Sequence, residues 1–313
     1  MLRALTTFIC FLPFLGLAKE KAAVDAKLLK HPVKAALWKV EGKGLEKPSY
    51  LFGTVHLADP RITTLNPKVE AAFKASTHFY AEIDLDPAAQ IKLAPMMMRQ
   101  DGKTLNDSIG PDLTKALNKR LKKINPEMTS QLMQPLKTWA VYATLPVLKF
   151  QMENPGKAPL DQVLYMRAQK EEKTVDALET AESQLKIFEG LKEAEQVALL
   201  KGTLEFMDKE EKEGTDSVQE MVDTYLTQEP SAIGALVKKY MEEDQGVDPE
   251  LAKRLMKALL DDRNITMAET IAKKLTEAPS GSHFFAAGVA HYTGSSAIQD
   301  LLEKKGYTIT PTF

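Results

Sequence analysis

An α/β fold is predicted, with a mixed central sheet built from strand segments at the two ends of the chain and a large, mostly helical region between them. Three observations predict it. Short runs rich in β-branched and aromatic residues fall early (35–40, 50–52, 78–85) and late (283–291, 307–310) in the sequence. Between about residues 111 and 278, apolar residues recur with the 3.6-residue period of helices. Inside that stretch Lys173 to Leu178 is a strand-like run between two helical patterns, as a βα unit requires.

In chain order, Ala35-Ala36-Leu37-Trp38-Lys39-Val40 and Tyr50-Leu51-Phe52 read as a hairpin turned by Gly42-Lys43-Gly44. Asn66 before Pro67 is a cap followed by a first-turn proline, so a helix runs from there to about Ser76. From His78 to Leu85 a strand is expected. Its alternate positions Phe79, Ala81, Ile83 and Leu85 are apolar, whereas Tyr80, Glu82 and Asp84 are polar. The run Met96-Met97-Met98 reads as adaptable packing. Helices are expected to start at Pro111, Pro126, Leu160, Thr180, Ser217, Ser231 and Pro249. The chain closes with a strand running into Gly288, a helix from Ser295 to about Lys305 stopped by Gly306, and a last strand over Tyr307 to Thr310.

With 44% hydrophobic and 27% charged residues, the composition is that of a folded globular chain. The formal charge is −2 and no basic stripe carries interleaved aromatics, which excludes a nucleic-acid partner. Lys119, Arg120, Lys122 and Lys123 read as a solvated helix face. Arg3 precedes an uncharged stretch, and Gly16 and Ala18 are the small residues that a signal peptidase needs, so residues 1–18 read as a signal peptide leading to the periplasm or outside the cell. Residues 19–313 then form one domain with a helical elaboration at about 111–278. The single cysteine, Cys10, lies within the leader, so the mature chain has neither disulfide nor thiolate site. No membrane span is expected after the leader, because the most apolar later stretch, Trp139 to Leu148, is short and contains Pro146.

One element recurs: an apolar strand entering Gly-x-x-His, as Gly53-Thr54-Val55-His56 and again as Gly288-Val289-Ala290-His291. With 16 glycines in 313 positions, any histidine follows such a glycine by chance roughly one time in twenty, and two of the five do. Glycine lets the backbone turn or approach a neighbour closely at a strand end. The histidine is thereby projected past the carboxyl end of the strand, where ligands bind in open α/β sheets. Glu82 adds a carboxylate on the polar side of its strand. Two imidazoles and a carboxylate suit a divalent ion with positions left open for water and substrate. His31, His78 and His283 lack the glycine and read as structural, and Trp38 and Trp139 as core aromatics.

Taken together these residues resemble the TraB/PrgY/GumN family, to which the TIKI metalloproteases also belong. The resemblance extends to Leu160-Asp161-Gln162, Leu178-Glu179-Thr180 with Gln184 beyond, Arg263-Asn264, and His291-Tyr292-Thr293-Gly294 with Gly306-Tyr307. It implies a mixed α/β fold related to the erythromycin-esterase and ChaN-like proteins, with His56, His291 and Glu82 converging on one cleft. In the TIKI branch these positions are tied to metal-dependent peptide cleavage; other branches are known for blocking peptide pheromones. Pro159 departs from the glycine that the family commonly carries before Leu-Asp.

The resemblance also makes Arg263 a cleft arginine that holds Glu82 or a substrate carboxylate, against a plain reading as a surface helix residue. Asp161, Glu179 and Asn264 become groups that orient the histidines or line the substrate; Asp161 and Glu179 read equally as helix caps or strand-end charges. The expected activity is that of an exported metal-dependent hydrolase acting on peptides, with Mn²⁺, Co²⁺ or Zn²⁺ on His56, His291 and Glu82. Two alternatives stay open. One is a protein that binds or sequesters a peptide or small molecule without turnover; the other is a metal-free hydrolase with His56 or His291 as general base.

Overall fold

The computed structural model describes residues 25–227, 232–233, 235–236 and 247–312; the leader and the expected helix start at Ser231 lie outside them. Six strands form one mixed sheet: β1 (Leu37–Glu41), β2 (Ser49–Thr54), β3 (His78–Ala81), β4 (Thr174–Ala177), β5 (His283–Gly288) and β6 (Thr308–Pro311). Their order across the sheet is β4-β3-β5-β2-β1-β6. The N-terminal hairpin is antiparallel, with Leu37 opposite Phe52, and β6 closes that edge antiparallel to β1. At its turn Gly42 and Gly44 sit at φ 93° and 78°, the left-handed region that glycine enters without steric cost. Strands β2, β5, β3 and β4 run parallel to one another, so all four end at one margin of the sheet.

The central strands β2, β3 and β5 are buried on both faces, as parallel pairing demands, whereas the edge strands β4 and β6 are not. On one face Phe79 stacks on Phe284, Phe52 meets Phe284 at a tilt, and Phe73 from the Pro67–Ala75 helix meets Phe79 and Phe284 edge-on at 5.9 and 5.4 Å. On the other face lie His78, Tyr80, His283 and Phe285. The Asp262–Glu277 helix reaches this side, where Lys274 pairs with Asp176 of β4 at 2.7 Å and lies 6.0 Å above the Tyr80 ring. Helices dominate the stretch between β3 and β5, the longest described being Leu105–Ile124 and Glu193–Glu213, followed by Thr138–Glu153 and Asp262–Glu277. Trp38 and Trp139 are core residues, 6% and 1% exposed. Among the described residues no helix is long and apolar enough to cross a membrane.

Several boundaries differ from expectation for local reasons. Strand β3 stops at Ala81 rather than Leu85, because the side chain of Asp84 takes the N–H of Asp86 and Asp86 caps the helix that follows. Pro126 opens no helix: Asn125 accepts the N–H of Glu127 in a side-chain turn, and the next long helix starts at Thr138. At Pro111 the helical run that begins at Leu105 breaks at Gly110, φ 73°, and resumes. Arg120 is not on a solvated face, as expected, but buried, with its guanidinium on Asp208 and Glu211 of the neighbouring Glu193–Glu213 helix. Lys122 and Lys123 are exposed.

Candidate active site

The two Gly-x-x-His elements lie side by side. Strands β2 and β5 pair in parallel with Gly53 next to Ala287 and Thr54 next to Gly288, so each chain leaves the sheet at the same margin one residue out of step. His56 follows β2 directly, and His291 is carried by a short 3₁₀ turn, Val289–Tyr292. Glu82 leaves the end of β3 at that margin, and Glu179 follows β4, its N–H on the Glu82 carbonyl at 2.9 Å.

The glycines do different work. Neither has a positive φ. A Cβ on Gly53 would stand 2.9 Å from Val289 Cγ2 and 3.1 Å from Ala36 Cβ, so this glycine lets the two strand exits pack together. A Cβ on Gly288 would stand 3.2 Å from Glu82 Oε1, 3.5 Å from His56 Nε2 and 3.6 Å from His291 Cδ2. Gly288 therefore keeps open the space between the three groups.

Both rings are oriented from behind. His56 Nδ1 lies 2.6 Å from Asp161 Oδ2, and the other Asp161 oxygen accepts from the Thr54 hydroxyl. His291 Nδ1 lies 2.6 Å from Asn264 Oδ1, and the amide nitrogen of Asn264 donates to the Ser296 carbonyl at 2.9 Å. Carboxylate and amide oxygens only accept, so each Nδ1 carries a proton and Nε2 is the atom that each ring turns toward Glu82. Each Nε2 lies 3.7 Å from the same atom, Glu82 Oε1. His291 is 1% exposed, and among the described residues its Nε2 has no hydrogen-bond partner.

Glu82 is held at both oxygens. Oε1 accepts the N–H of Gly288 at 2.5 Å; Oε2 accepts from Arg263 at 2.5 Å and from Gln184 at 3.3 Å. Burial alone would raise its pKa, but the Arg263 guanidinium, the facing imidazoles and the Gly288 N–H outweigh it and hold the carboxyl well below the usual range. Burial, and then the charge of Arg263, push His291 down to about 3 against the pull of Glu82. Glu179 moves the other way, raised by burial against the opposing charge of Arg263.

Arg263 is buried, 5% exposed. Its Nε and one terminal nitrogen donate to Glu179 Oε1, that same terminal nitrogen reaches Glu82, and the other donates to the Leu259 carbonyl at 3.1 Å. The turn that supplies this carbonyl is a π-turn, Lys257–Asp261, just ahead of Arg263.

Two imidazole nitrogens and a carboxylate oxygen thus converge on one space, a set that a cation or a proton would join. Two atoms each about 2.0–2.2 Å from a tetrahedral ion lie about 3.3–3.6 Å apart. The 3.7 Å separations are slightly wider than that. Among the described residues no group of three His, Cys, Asp or Glu side chains stands close enough together to hold a metal ion. The donor types, two imidazole nitrogens and a carboxylate, are those that a divalent ion takes, and Gly288 leaves space between them.

Residues 36–311 match the profile of the TraB/PrgY/gumN family. The chain belongs to this family. It is similar to Metalloprotease TIKI2 of Danio rerio, at 24% identity over 92% of this chain and 63% of the relative. It is also similar to the Metalloprotease TIKI homolog of Nematostella vectensis, at 22% over 84% and 64%, and to Metalloprotease TIKI1 of Homo sapiens, at 22% over 96% and 67%. The chain thus spans about two thirds or less of these relatives' lengths. No solved structure matches it.

As a TraB/PrgY/gumN member the chain brings together His56, Glu82, Asp161, Glu179, Arg263, Asn264 and His291, all named from the sequence. Asp161 lies in the first turn of the Leu160–Lys170 helix, with Pro159 as the cap residue ahead of it, so the family's usual glycine is not needed to bring Asp161 to His56. His78 and His283 face each other at the opposite end of β3 and β5, outside the site. Gln184, named as part of the resemblance, donates to Glu82, and two contributors escaped the sequence reading: Thr54, which steadies Asp161, and Tyr225, whose hydroxyl donates to the Gly53 carbonyl at 2.8 Å. For Thr54 the signal was its place inside the first Gly-x-x-His. Nothing in the sequence marks Tyr225.

Proposed function

We propose that the protein is an exported metal-dependent hydrolase that cleaves peptides. The observation that carries this reading is the convergence of His56 Nε2 and His291 Nε2 on Glu82 Oε1, each at 3.7 Å, with both Nδ1 atoms tied to acceptors behind them. The relatives named as metalloproteases support peptides as substrate, and the leader-like residues 1–18 support export.

His56, His291 and Glu82 would hold Mn²⁺, Co²⁺ or Zn²⁺, which supplies Lewis acidity at the reacting carbonyl and acidifies water there. The chain's own groups do the rest. Asp161 and Asn264 place the Nδ1 protons, so that Nε2 is the atom each neutral ring would offer to an ion. Arg263 keeps Glu82 ionised in a buried site and draws one of its oxygens away from the imidazoles. His56 is the more exposed histidine, its side chain 16% accessible against 1% for His291, so substrate approaches from the His56 side.

The test is a metal analysis of purified protein as isolated and after loading with each ion, followed by digestion of a peptide library. One ion per chain, lost in His56→Ala, and cleavage lost in Glu82→Gln are expected. Ion binding without cleavage of any peptide would leave a binding protein; no ion under any loading condition would end the metal mechanism.

A further inference from the structure

Glu82 has two oxygens, and only one faces the histidines. What keeps the carboxylate from rotating or from offering both oxygens is a second donor beside Arg263. Gln184, 1% exposed in the first turns of the Ala181–Glu189 helix, places its Nε2 at 3.3 Å from Glu82 Oε2 and 2.8 Å from Glu179 Oε1. Both neighbours are acceptors only, so the amide nitrogen must face them, and its two hydrogens go one to each carboxylate. Arg263 serves the same two acids. Two buried carboxylates are thereby held together by one cation and one neutral amide.

The neutrality matters. A lysine or arginine at this place would satisfy both acids equally well in hydrogen-bond terms, but would add positive charge beside the atoms that face the imidazoles. A neutral donor with two hydrogens fixes the geometry and leaves the negative potential intact. We propose that Gln184 is a positioning residue that commits Glu82 to present Oε1 alone, and that its neutral amide preserves the site's attraction for a divalent cation. The inference rests on the metal-dependent reading above and extends it to a residue that touches neither substrate nor reacting atoms.

The experiment titrates Mn²⁺ alone into cation-free wild type, Gln184→Met and Gln184→Lys by calorimetry at 25 °C, with melting temperatures recorded in parallel. Loss of such an outer partner weakens metal affinity roughly 10–100-fold. Gln184→Met is expected in that range, and Gln184→Lys is expected to bind at least as weakly although its ammonium can reach both acids. A merely structural glutamine would lower the melting temperature and leave the Mn²⁺ affinity of the folded protein unchanged; that result overturns the proposal. If wild type takes up no divalent ion, the functional reading itself has failed, and this inference with it. Should neither variant fold, a crystal structure of Mn²⁺-soaked wild type decides. Glu82 bound through Oε1 alone, with Oε2 still on Gln184 and Arg263, is expected; both oxygens on the ion would overturn it.

Discussion

The side-chain oxygen of Asn264 accepts the Nδ1–H of His291 at 2.6 Å while its amide nitrogen is pinned by the Ser296 carbonyl at 2.9 Å, so the ring's tautomer is set by an amide that cannot flip. In Asn264→Ala the buried N–H of His291 loses its acceptor, at a cost of about 1–3 kcal/mol. Divalent-ion affinity is expected to fall roughly 10–100-fold. Urea denaturation reads the first effect and Mn²⁺ calorimetry the second. An unchanged affinity would show that the Asn264 contact does not prepare the ring.

The two motif glycines should separate in a simple pair of variants. Gly53→Ala puts a methyl 2.9 Å from Val289 Cγ2 with Ala36 at 3.1 Å on the other side, an overpacking that costs about 1–3 kcal/mol. Gly288→Ala meets side-chain ends at 3.2 to 3.6 Å and is expected to fold with nearly wild-type stability, but its methyl fills the space between Glu82, His56 and His291. Its Mn²⁺ binding should be lost. Melting temperatures and ion binding, measured on both, test the contrast; a Gly288→Ala protein that binds like wild type would refute it.

Much of this architecture was legible because it is written in local chemistry. Glycines 42 and 44 mark the hairpin, Asn66-Pro67 marks a helix start, and the Gly-x-x-His repeat marks two strand exits that turn out to be neighbours. What was not legible is non-local. Arg120 reads as one cation in a basic cluster, and only the approach of the Glu193–Glu213 helix, bearing Asp208 and Glu211, buries it. Gln184 is an unremarkable helix residue until β3 and β4 bring two carboxylates to its amide. The helix at Thr138 begins after Lys137 without a side-chain cap, so there was no start signal to read.

A second pair of histidines lets acid stability be forecast. His78 and His283 are register partners, their rings stacked at 4.6 Å, and burial holds both below the ordinary 6.5; His283 also bears the positive charge that His78 would acquire. The unfolded chain therefore takes up protons first as pH falls, so these groups contribute stability that is complete above about pH 6.5 and lost progressively below it. His291 acts in the same direction down to about 3. Melting temperature should decline between about pH 7.5 and 5.5, and His78→Phe, which keeps an aromatic ring in the stack, should decline less steeply. Equal slopes would take the pair out of the account.

Arg263 is where the site's electrostatics and the fold's stability meet. Removing one partner of a buried ion pair costs about 3–5 kcal/mol because the other charge is left uncompensated. Arg263→Met leaves two such charges, Glu82 and Glu179, whose Oε2 and Oε1 it now serves together. The acids, rather than the arginine's own packing, should set the penalty. In a background of Glu82→Gln and Glu179→Gln the same Arg263→Met change should therefore cost less, with a coupling of about 0.5–3 kcal/mol by urea denaturation of the cation-free proteins. If the costs simply add, Arg263 stabilises this region through its contact with the Leu259 carbonyl and its packing, and its hold on Glu82 is not what keeps the site assembled.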